Sequence, residues 1–207
     1  MGAMAYGETV MKGILMRRIS LLTAALAALP MVATAQIVDE VRAGVTAHNV
    51  CIANCDNANK EDGPNINGEI VFHSPEFLRL IWSPRPYVMG SVNTAGDTSF
   101  GGAGLHWNWD FAQGWSLEPG VGYVVHDGEL TFPYPQGDPR NDPISESTVF
   151  FGSRDLFRTS LSLNKDLAGP WGVQLMYEHL SHGQILGNGR NQGLDNIGVR
   201  VRYAFGE

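Results

Sequence analysis

The sequence predicts an all-β protein, an eight-stranded antiparallel transmembrane β-barrel of the outer-membrane type. Three observations predict this fold class. Apolar and polar residues alternate along eight segments, as they do in strands that separate an apolar medium from a polar one. The connections are short at one end and mostly long at the other, and aromatic residues gather beside the short ones. A secretory signal precedes the first segment.

Residues 1–35 are predicted to be a signal peptide with an over-extended N-terminus. A basic stretch at 16–18 is followed by an apolar run at 19–31 and by the cleavage pattern Ala-Thr-Ala at 33–35. The run is broken by a proline and falls short of the roughly 20 apolar residues of a membrane-spanning helix. A buried N-terminal helix is the alternative, and the cleavage pattern disfavours it. We therefore predict a single barrel domain over residues 36–207.

The charge balance excludes one class of partner. Residues 1–35 hold three of the 14 Lys and Arg residues and one of the 21 Asp and Glu residues, which leaves residues 36–207 with a formal net charge of −9. Without a basic patch to neutralise phosphates, no nucleic acid partner is expected. The two cysteines, Cys51 and Cys55, fit a local disulfide in an exported protein better than any chemistry. No cofactor and no metal site are predicted, because the cysteines lack nearby ligands to complete a coordination shell.

Each predicted strand has one apolar face. The strands are residues 40–49, 65–73, 87–93, 99–111, 115–126, 154–164, 171–181 and 195–205. The third is bounded by the turn at 94–97. The apolar faces of the others carry, in order, Val41 and Val45, Ile66 and Ile70, Leu105 and Trp109, Val121 and Tyr123, Phe157 and Leu161, Val173 and Leu175, and Val199 and Val201.

Connection lengths predict the topology. The connections after the fourth and sixth strands are short, and those after the first, fifth and seventh are long. Outer-membrane barrels have short periplasmic turns and longer external loops. Trp109, Phe111, Trp115 and Trp171 cluster at the short-turn end, as an inner aromatic girdle requires. The apolar connection at 74–86 is expected to contain a short helical turn. Side chains fill an eight-strand barrel, so the sequence does not predict a porin.

A secreted lipocalin-like barrel or β-sandwich, with its apolar faces pointing inward, is the alternative architecture. We rank it second because the polar faces are crowded with charges, which suits a barrel interior in which they pair. These charged residues are Glu69, Glu118, Glu178, Arg158, Arg200 and Arg202. In contrast, Lys60, Glu61 and Asp62, in the first long loop, are expected to be solvated.

The candidate site lies at the outer end of the last two strands. His179 and Ser181 share the apolar face of the seventh strand, and Asp195 shares the apolar face of the eighth. A serine hydroxyl, a histidine base and an orienting carboxylate are the parts of a hydrolytic triad. Backbone N–H groups in the loop from Gly183, or the amide of Asn191, are candidate oxyanion donors. The pattern His-x-Ser alone is a weak indication of a catalytic site. The hypothesis rests on the predicted position of these residues beside lipid and on the fact that Asp195 also lies on the apolar face of its strand.

Several motifs resemble the lipid A 3-O-deacylase family of outer-membrane barrels, which includes acyloxyacyl hydrolase-like proteins. They are NGEIVF at 67–72, WSPRPYVMGSVNTAGDTS at 82–99, HDGEL at 126–130, GSRDLFR at 152–158, and EHLSHG at 178–183 with NQGLDNIGVRVRYAF at 191–205. The resemblance spans residues 45–205. It implies a metal-free esterase with Ser181 as nucleophile, His179 as base and Asp195 as acid.

The resemblance also implies partners and a location. The substrate would be lipid A or lipopolysaccharide, the surroundings outer-membrane lipids, and the location the bacterial outer membrane. Whether the chain forms a homodimer is left open. The chain departs from the family pattern in having His182 where the family has Asn, and in using Asp195 where the family has Glu. A non-catalytic structural or adhesive barrel and a soluble lipocalin-like binder are the alternative functions.

Overall fold

The structure, a computed structural model, describes residues 37–53, 55–58, 60–187 and 189–205. The predicted signal over residues 1–35 therefore lies outside the described residues. The strands are β1 (Val38–Ala47), β2 (Pro64–Phe72), β3 (Arg85–Asn93), β4 (Phe100–His106), β5 (Trp109–Ala112), β6 (Trp115–His126), β7 (Asp155–Asp166), β8 (Trp171–Ser181) and β9 (Leu194–Ala204). One α-helix, α1 (Asn141–Ser147), and two 3₁₀ turns, Cys55–Asn57 and Glu76–Ile81, lie in the connections.

The strands close into an eight-stranded antiparallel barrel, which confirms the predicted fold class. Neighbouring strands follow the order β4-β3-β2-β1-β9-β8-β7-β6, and a β4–β6 pairing closes the ring. The fourth predicted strand is divided into β4 and β5, and both pair with β6. The division falls where Trp107 lies opposite Pro119 of β6. The carbonyl of Pro119 accepts the N–H of Trp107, but proline has no N–H to donate to Trp107 in return. The gap in the ladder follows from that missing donor.

Apolar side chains cover the outside of the barrel and polar side chains fill the inside. Val45, Val199 and Val201 expose 49%, 57% and 51% of their surface, whereas Arg200, between the two valines of β9, exposes 2%. The outward direction of the apolar faces rules out the lipocalin-like alternative, because such a barrel buries its apolar faces.

The charges of the barrel interior form a connected network. Arg158 donates to Glu178 (Nε–Oε2 2.6 Å), and Arg200 donates to Glu69 (Nη1–Oε2 3.1 Å). At the centre of the network Arg42 contacts Glu69 and Glu118 through Nη1, at 2.9 and 2.6 Å. The predicted interior pairing is confirmed, and Arg42 is an additional member because its position on β1 faces inward.

The two ends of the barrel differ in the length of their connections. Two connections at one end are tight turns, at 113–114 and 167–170, and the third, at 73–84, contains the expected helical turn. The loops of the other end, at 48–63, 94–99, 127–154 and 182–193, include the longest of the chain. Since outer-membrane barrels keep their short turns in the periplasm, we call these the inner and outer ends. No helix among the described residues is long and apolar enough to cross a bilayer.

The first outer loop, residues 48–63, folds back over the barrel. A disulfide joins Cys51 and Cys55 within it, as the spacing suggested. The backbone N–H of Val50 donates to the carbonyl of Asp195 at 2.8 Å, which places the loop against the start of β9. The loop therefore covers the part of the outer wall that carries the candidate site.

Candidate functional site

The register of the last two strands brings two of the three predicted site residues face to face. His179 on β8 is the direct cross-strand neighbour of Asp195 on β9. Ser181 lies two residues further out on β8, beside Phe157 of β7. Because side chains alternate along a strand, His179 and Ser181 point to the same outer face, with Cα atoms about 7 Å apart.

The imidazole of His179 is hydrogen-bonded to the Asp195 carboxylate. The Nδ1–Oδ1 distance is 2.6 Å, and the side chains of His179 and Asp195 are 26% and 0% exposed. An ionised carboxylate only accepts hydrogen bonds, so Nδ1 carries the proton in this pair. The neutral ring then has a bare Nε2, which is the atom that a general base uses.

Asp195 is held by more than the histidine. The hydroxyl of Tyr177 donates to Oδ1 at 3.0 Å, and the backbone N–H of Ala53 donates to Oδ2 at 2.6 Å. Asp195 is 1% exposed, which corrects the expectation that it faces lipid. Its parity is outward as predicted, but the first outer loop covers it and supplies the Ala53 donor.

Ser181 is half-buried at the outer rim. Within the described part of the chain, its hydroxyl makes no hydrogen bond to His179. A rotation about the Cα–Cβ bond is available to a serine at the end of a strand, because the three staggered rotamers differ little in energy. The structure thus pairs His179 with Asp195 and leaves Ser181 beside them.

The two predicted oxyanion donors lie in the outer loop that follows β8. Gly183 is exposed and has a φ of 60°, in the left-handed region that suits glycine. Asn191 accepts the backbone N–H of His182 through Oδ1 at 3.1 Å, so its NH₂ group is the part that can donate.

His182 is built into the loop. Its Nδ1 accepts the N–H of Gln184 at 3.1 Å, and its Nε2 contacts the carbonyl of Arg190 at 2.9 Å. These two contacts require the neutral tautomer with hydrogen on Nε2. Since both ring nitrogens are used and the ring is fully buried, His182 has no hydrogen-bonding capacity left for a substrate oxygen.

Glu61 joins three outer loops and is buried, which corrects the expectation that it is solvated. Its carboxylate contacts His48 Nε2 at 2.9 Å and accepts from Thr98 Oγ1 at 3.0 Å and from the Val149 N–H at 3.2 Å. Burial raises the pKa of this carboxyl, but the hydrogen bonds from His48 and Thr98 outweigh it, so the pKa lies below that of a free glutamate.

An apolar groove of about 650 Å³ begins inward of the site on the outer wall. Its outer end is the pair Leu175 and Val199, four residues along each strand from the pair His179 and Asp195. Ala43 on β1 and Leu163 on β7 line it on either side of β9 and β8. The groove therefore runs along the middle and inner part of this wall, and Tyr177 and Ile197 separate it from the site. The described residues contain no group of three or more His, Cys, Asp or Glu arranged to hold a metal ion.

Two of the contributing residues could not be identified from the pattern alone. The alternation of side chains predicted that Tyr177 lies on the outer face. That its hydroxyl donates to Asp195 follows only from the pairing of β8 with β9 in the structure. Ala53 contributes a backbone N–H, a group that every residue except proline carries, so no sequence signal distinguishes it.

Comparison with known proteins shows the fold. No protein-family model matches the chain, and no curated protein matches it. The crystal structure of the outer membrane enzyme PagL aligns with a TM-score of 0.55 at 13% identity, over 79% of this chain and 98% of PagL. The fold is that of an outer-membrane β-barrel. The outer membrane protein Ail of Yersinia pestis aligns with a TM-score of 0.41 at 9% identity, over 80% of this chain and 99% of Ail.

Proposed function

We propose that the chain is a serine esterase of the bacterial outer membrane that removes an ester-linked acyl chain from lipid A, at the 3-position. One observation carries the proposal. His179 and Asp195 are hydrogen-bonded to each other across β8 and β9, with Ser181 two residues further along the same face as His179. PagL, which shares the fold, is an outer membrane enzyme, so this type of barrel accommodates catalysis.

The proposed reaction uses these groups in sequence. Ser181 Oγ attacks the ester carbonyl carbon while its proton passes to Nε2 of His179. The carbonyl oxygen becomes an oxyanion, for which the Gly183 N–H and the Asn191 amide are the candidate donors. The C–O bond to the sugar then breaks, and the departing oxygen takes the proton from His179. Water, activated by the same histidine, releases the fatty acid from Ser181.

The acid has a defined part in this scheme. When His179 becomes an imidazolium, the negative charge of Asp195 stabilises it, and the Nδ1–Oδ1 hydrogen bond keeps Nε2 toward the substrate. The hydroxyl of Tyr177 and the N–H of Ala53 hold the carboxylate in that orientation.

The second candidate function is a non-catalytic structural or adhesive barrel. The observation that favours it is the position of Ser181, whose hydroxyl is not hydrogen-bonded to His179 within the described residues. In that case the pair of His179 and Asp195 would only fasten the first outer loop to the barrel wall.

The test is the release of 3-hydroxy fatty acid from lipopolysaccharide by the purified barrel in detergent, followed by mass spectrometry of lipid A. We expect the wild-type chain to remove one acyl chain and Ser181→Ala to remove none. Ser147→Ala, an exposed serine at the end of α1, is the matched control and should retain full activity. Intact lipid A after incubation with the folded wild-type barrel would contradict the esterase proposal and support the non-catalytic barrel.

A further inference from the structure

The connection between β2 and β3 differs from the other two inner connections. We call residues 74–84 the inner-rim segment; it contains the 3₁₀ turn Glu76–Ile81. Its large apolar side chains point away from the protein: Phe77, Leu80 and Trp82 are 73%, 92% and 84% exposed. No residue of the 3₁₀ turn is buried. The 3₁₀ turn therefore contributes no side chain to a core within this chain.

The backbone of the inner-rim segment is held in an unusual conformation. Trp82 and Ser83 have φ values of 66° and 51°, in the left-handed region that residues with a Cβ rarely adopt. The Ser83 N–H donates to the Leu78 carbonyl at 3.0 Å, and the Trp107 indole donates to the Ile81 carbonyl at 2.8 Å. A left-handed cap of this kind is usually a glycine. Here a tryptophan occupies it, and its ring is presented outward.

The apolar surface of the segment continues the lipid-facing wall of the barrel. Arg85 pairs with His106, so the residues just before β3 lie beside Trp107 and the start of β5. On β5, Trp109 and Phe111 are 56% and 62% exposed and belong to the aromatic girdle. The girdle and the segment therefore form one apolar surface at the inner rim, reaching beyond the ends of β2 and β3.

We propose that the inner-rim segment is seated in the inner leaflet of the membrane, at the level of the lipid headgroups and upper acyl chains. Tryptophan is enriched at this depth because its ring is apolar while its N–H is polar. The only charged side chains of the 3₁₀ turn, Glu76 and Arg79, face each other at 3.7 Å, so the turn adds no net charge to repel or attract a protein partner. A short element with an apolar face and such a polar pair matches an interfacial anchor. The inference does not depend on the esterase.

The depth of the segment can be measured with a spin label. The two native cysteines are bonded to each other, so Leu80→Cys provides a single free thiol. We would label it in the full chain, reconstitute the barrel into phosphatidylethanolamine–phosphatidylglycerol vesicles, and compare collisions with oxygen and with a water-soluble nickel complex. The proposal expects an oxygen-to-nickel ratio several-fold above that of Ser147→Cys in the outer loops, approaching that of lipid-facing Val199→Cys.

Each of the other outcomes would overturn the proposal. A ratio equal to that of Ser147→Cys places the segment in water. Low collision rates with both reagents, or dipolar broadening between labels, place it against a protein or a second copy of this chain. A second measurement leaves Leu80 intact: lipids brominated near the headgroup should quench less tryptophan emission in Trp82→Phe than in the wild type. Equal quenching in the two proteins would also contradict the proposal.

Discussion

The barrel interior and the outer-wall site both contain ionisable groups in contact, but they leave different atoms accessible. Inside, Arg158 donates Nε to Glu178 and Nη1 to the Tyr87 hydroxyl, and it is fully buried. Outside, Asp195 is as deeply buried, yet its partner His179 keeps a quarter of its side chain exposed. The interior pair of Arg158 and Glu178 has almost no accessible surface, whereas the outer pair keeps part of the His179 imidazole accessible. Four predictions break or sharpen this comparison.

The largest expected effect is at the outer pair. Asp195→Asn would replace the carboxylate that accepts Nδ1–H by an amide that can also donate. His179 would then lose the preference for the tautomer with hydrogen on Nδ1, and its imidazolium would lose the negative charge beside it. We expect ester hydrolysis to fall by roughly 10³- to 10⁴-fold while the barrel stays folded. Fatty-acid release measures the rate, and heat-modifiable gel migration monitors the fold. Asp138→Asn, on a half-buried outer-loop carboxylate that pairs with Arg140, is the matched control and should keep its rate.

The interior pair should behave in the opposite way. Arg158→Leu leaves the Glu178 carboxylate buried without its arginine, which costs about 3–5 kcal/mol in the free energy of unfolding. Urea titration in detergent micelles measures this loss, and hydrolysis per folded molecule should be unchanged.

Two further variants sharpen the interior result. Adding Glu178→Leu to Arg158→Leu removes the uncompensated charge and should restore much of the stability. Arg140→Leu breaks the loop pair with Asp138, whose arginine is 64% exposed, and should leave the stability within the error of the titration. Equal losses in the buried pair and the loop pair would contradict the distinction.

A smaller effect is expected from the tyrosine that supports the acid. Tyr177→Phe removes the 3.0 Å hydrogen bond to Asp195 and leaves the His179 contact in place. One hydrogen bond to a charged group contributes about 1.5–3 kcal/mol at most, so hydrolysis should fall by roughly 10-fold, with the main change in kcat. Tyr123→Phe removes an exposed outer-wall hydroxyl on β6, two strands from Ser181, and serves as the control.

The smallest effect is a dependence of loop order on pH. Because the pKa of Glu61 is lowered in the folded protein, its contribution to stability is fully present above the ordinary glutamate pKa and is lost as pH falls through the lower, folded value. Hydrogen exchange at Thr98 and Val149, corrected for intrinsic rates, should accelerate over that acidic range. In Glu61→Gln the acceleration should be absent, and in Glu146→Gln, on the exposed helix α1, it should persist.

Much of the fold could be predicted because each strand of a lipid-exposed barrel has an apolar outer face and a polar inner face, and both appear as alternating residues in the sequence. The alternation of Val173, Leu175 and Tyr177 with Gln174 and Glu178 indicates a strand. It also indicates which of the side chains face lipid and which face the interior. The break between β4 and β5 was not predicted, because it depends on Pro119 standing opposite Trp107, and a register is a property of two strands.

The candidate site was predictable only in part for a similar reason. Parity placed His179, Ser181 and Asp195 on the outer wall, and the structure lays the first and last side by side. Loops carry no periodicity, so the sequence did not show that residues 48–63 bury Asp195, or that Glu61 ties three loops together.

The sequence by itself determined which side chains face lipid and which face the interior, since that follows from a two-residue period and the cost of placing charge in hydrocarbon. Only the tertiary structure decided which residues touch across strands and loops. The pairing of His179 with Asp195 and the cover over that carboxylate depend on chain segments that are distant in sequence. Such contacts are set by register and packing, to which no local pattern of residues corresponds.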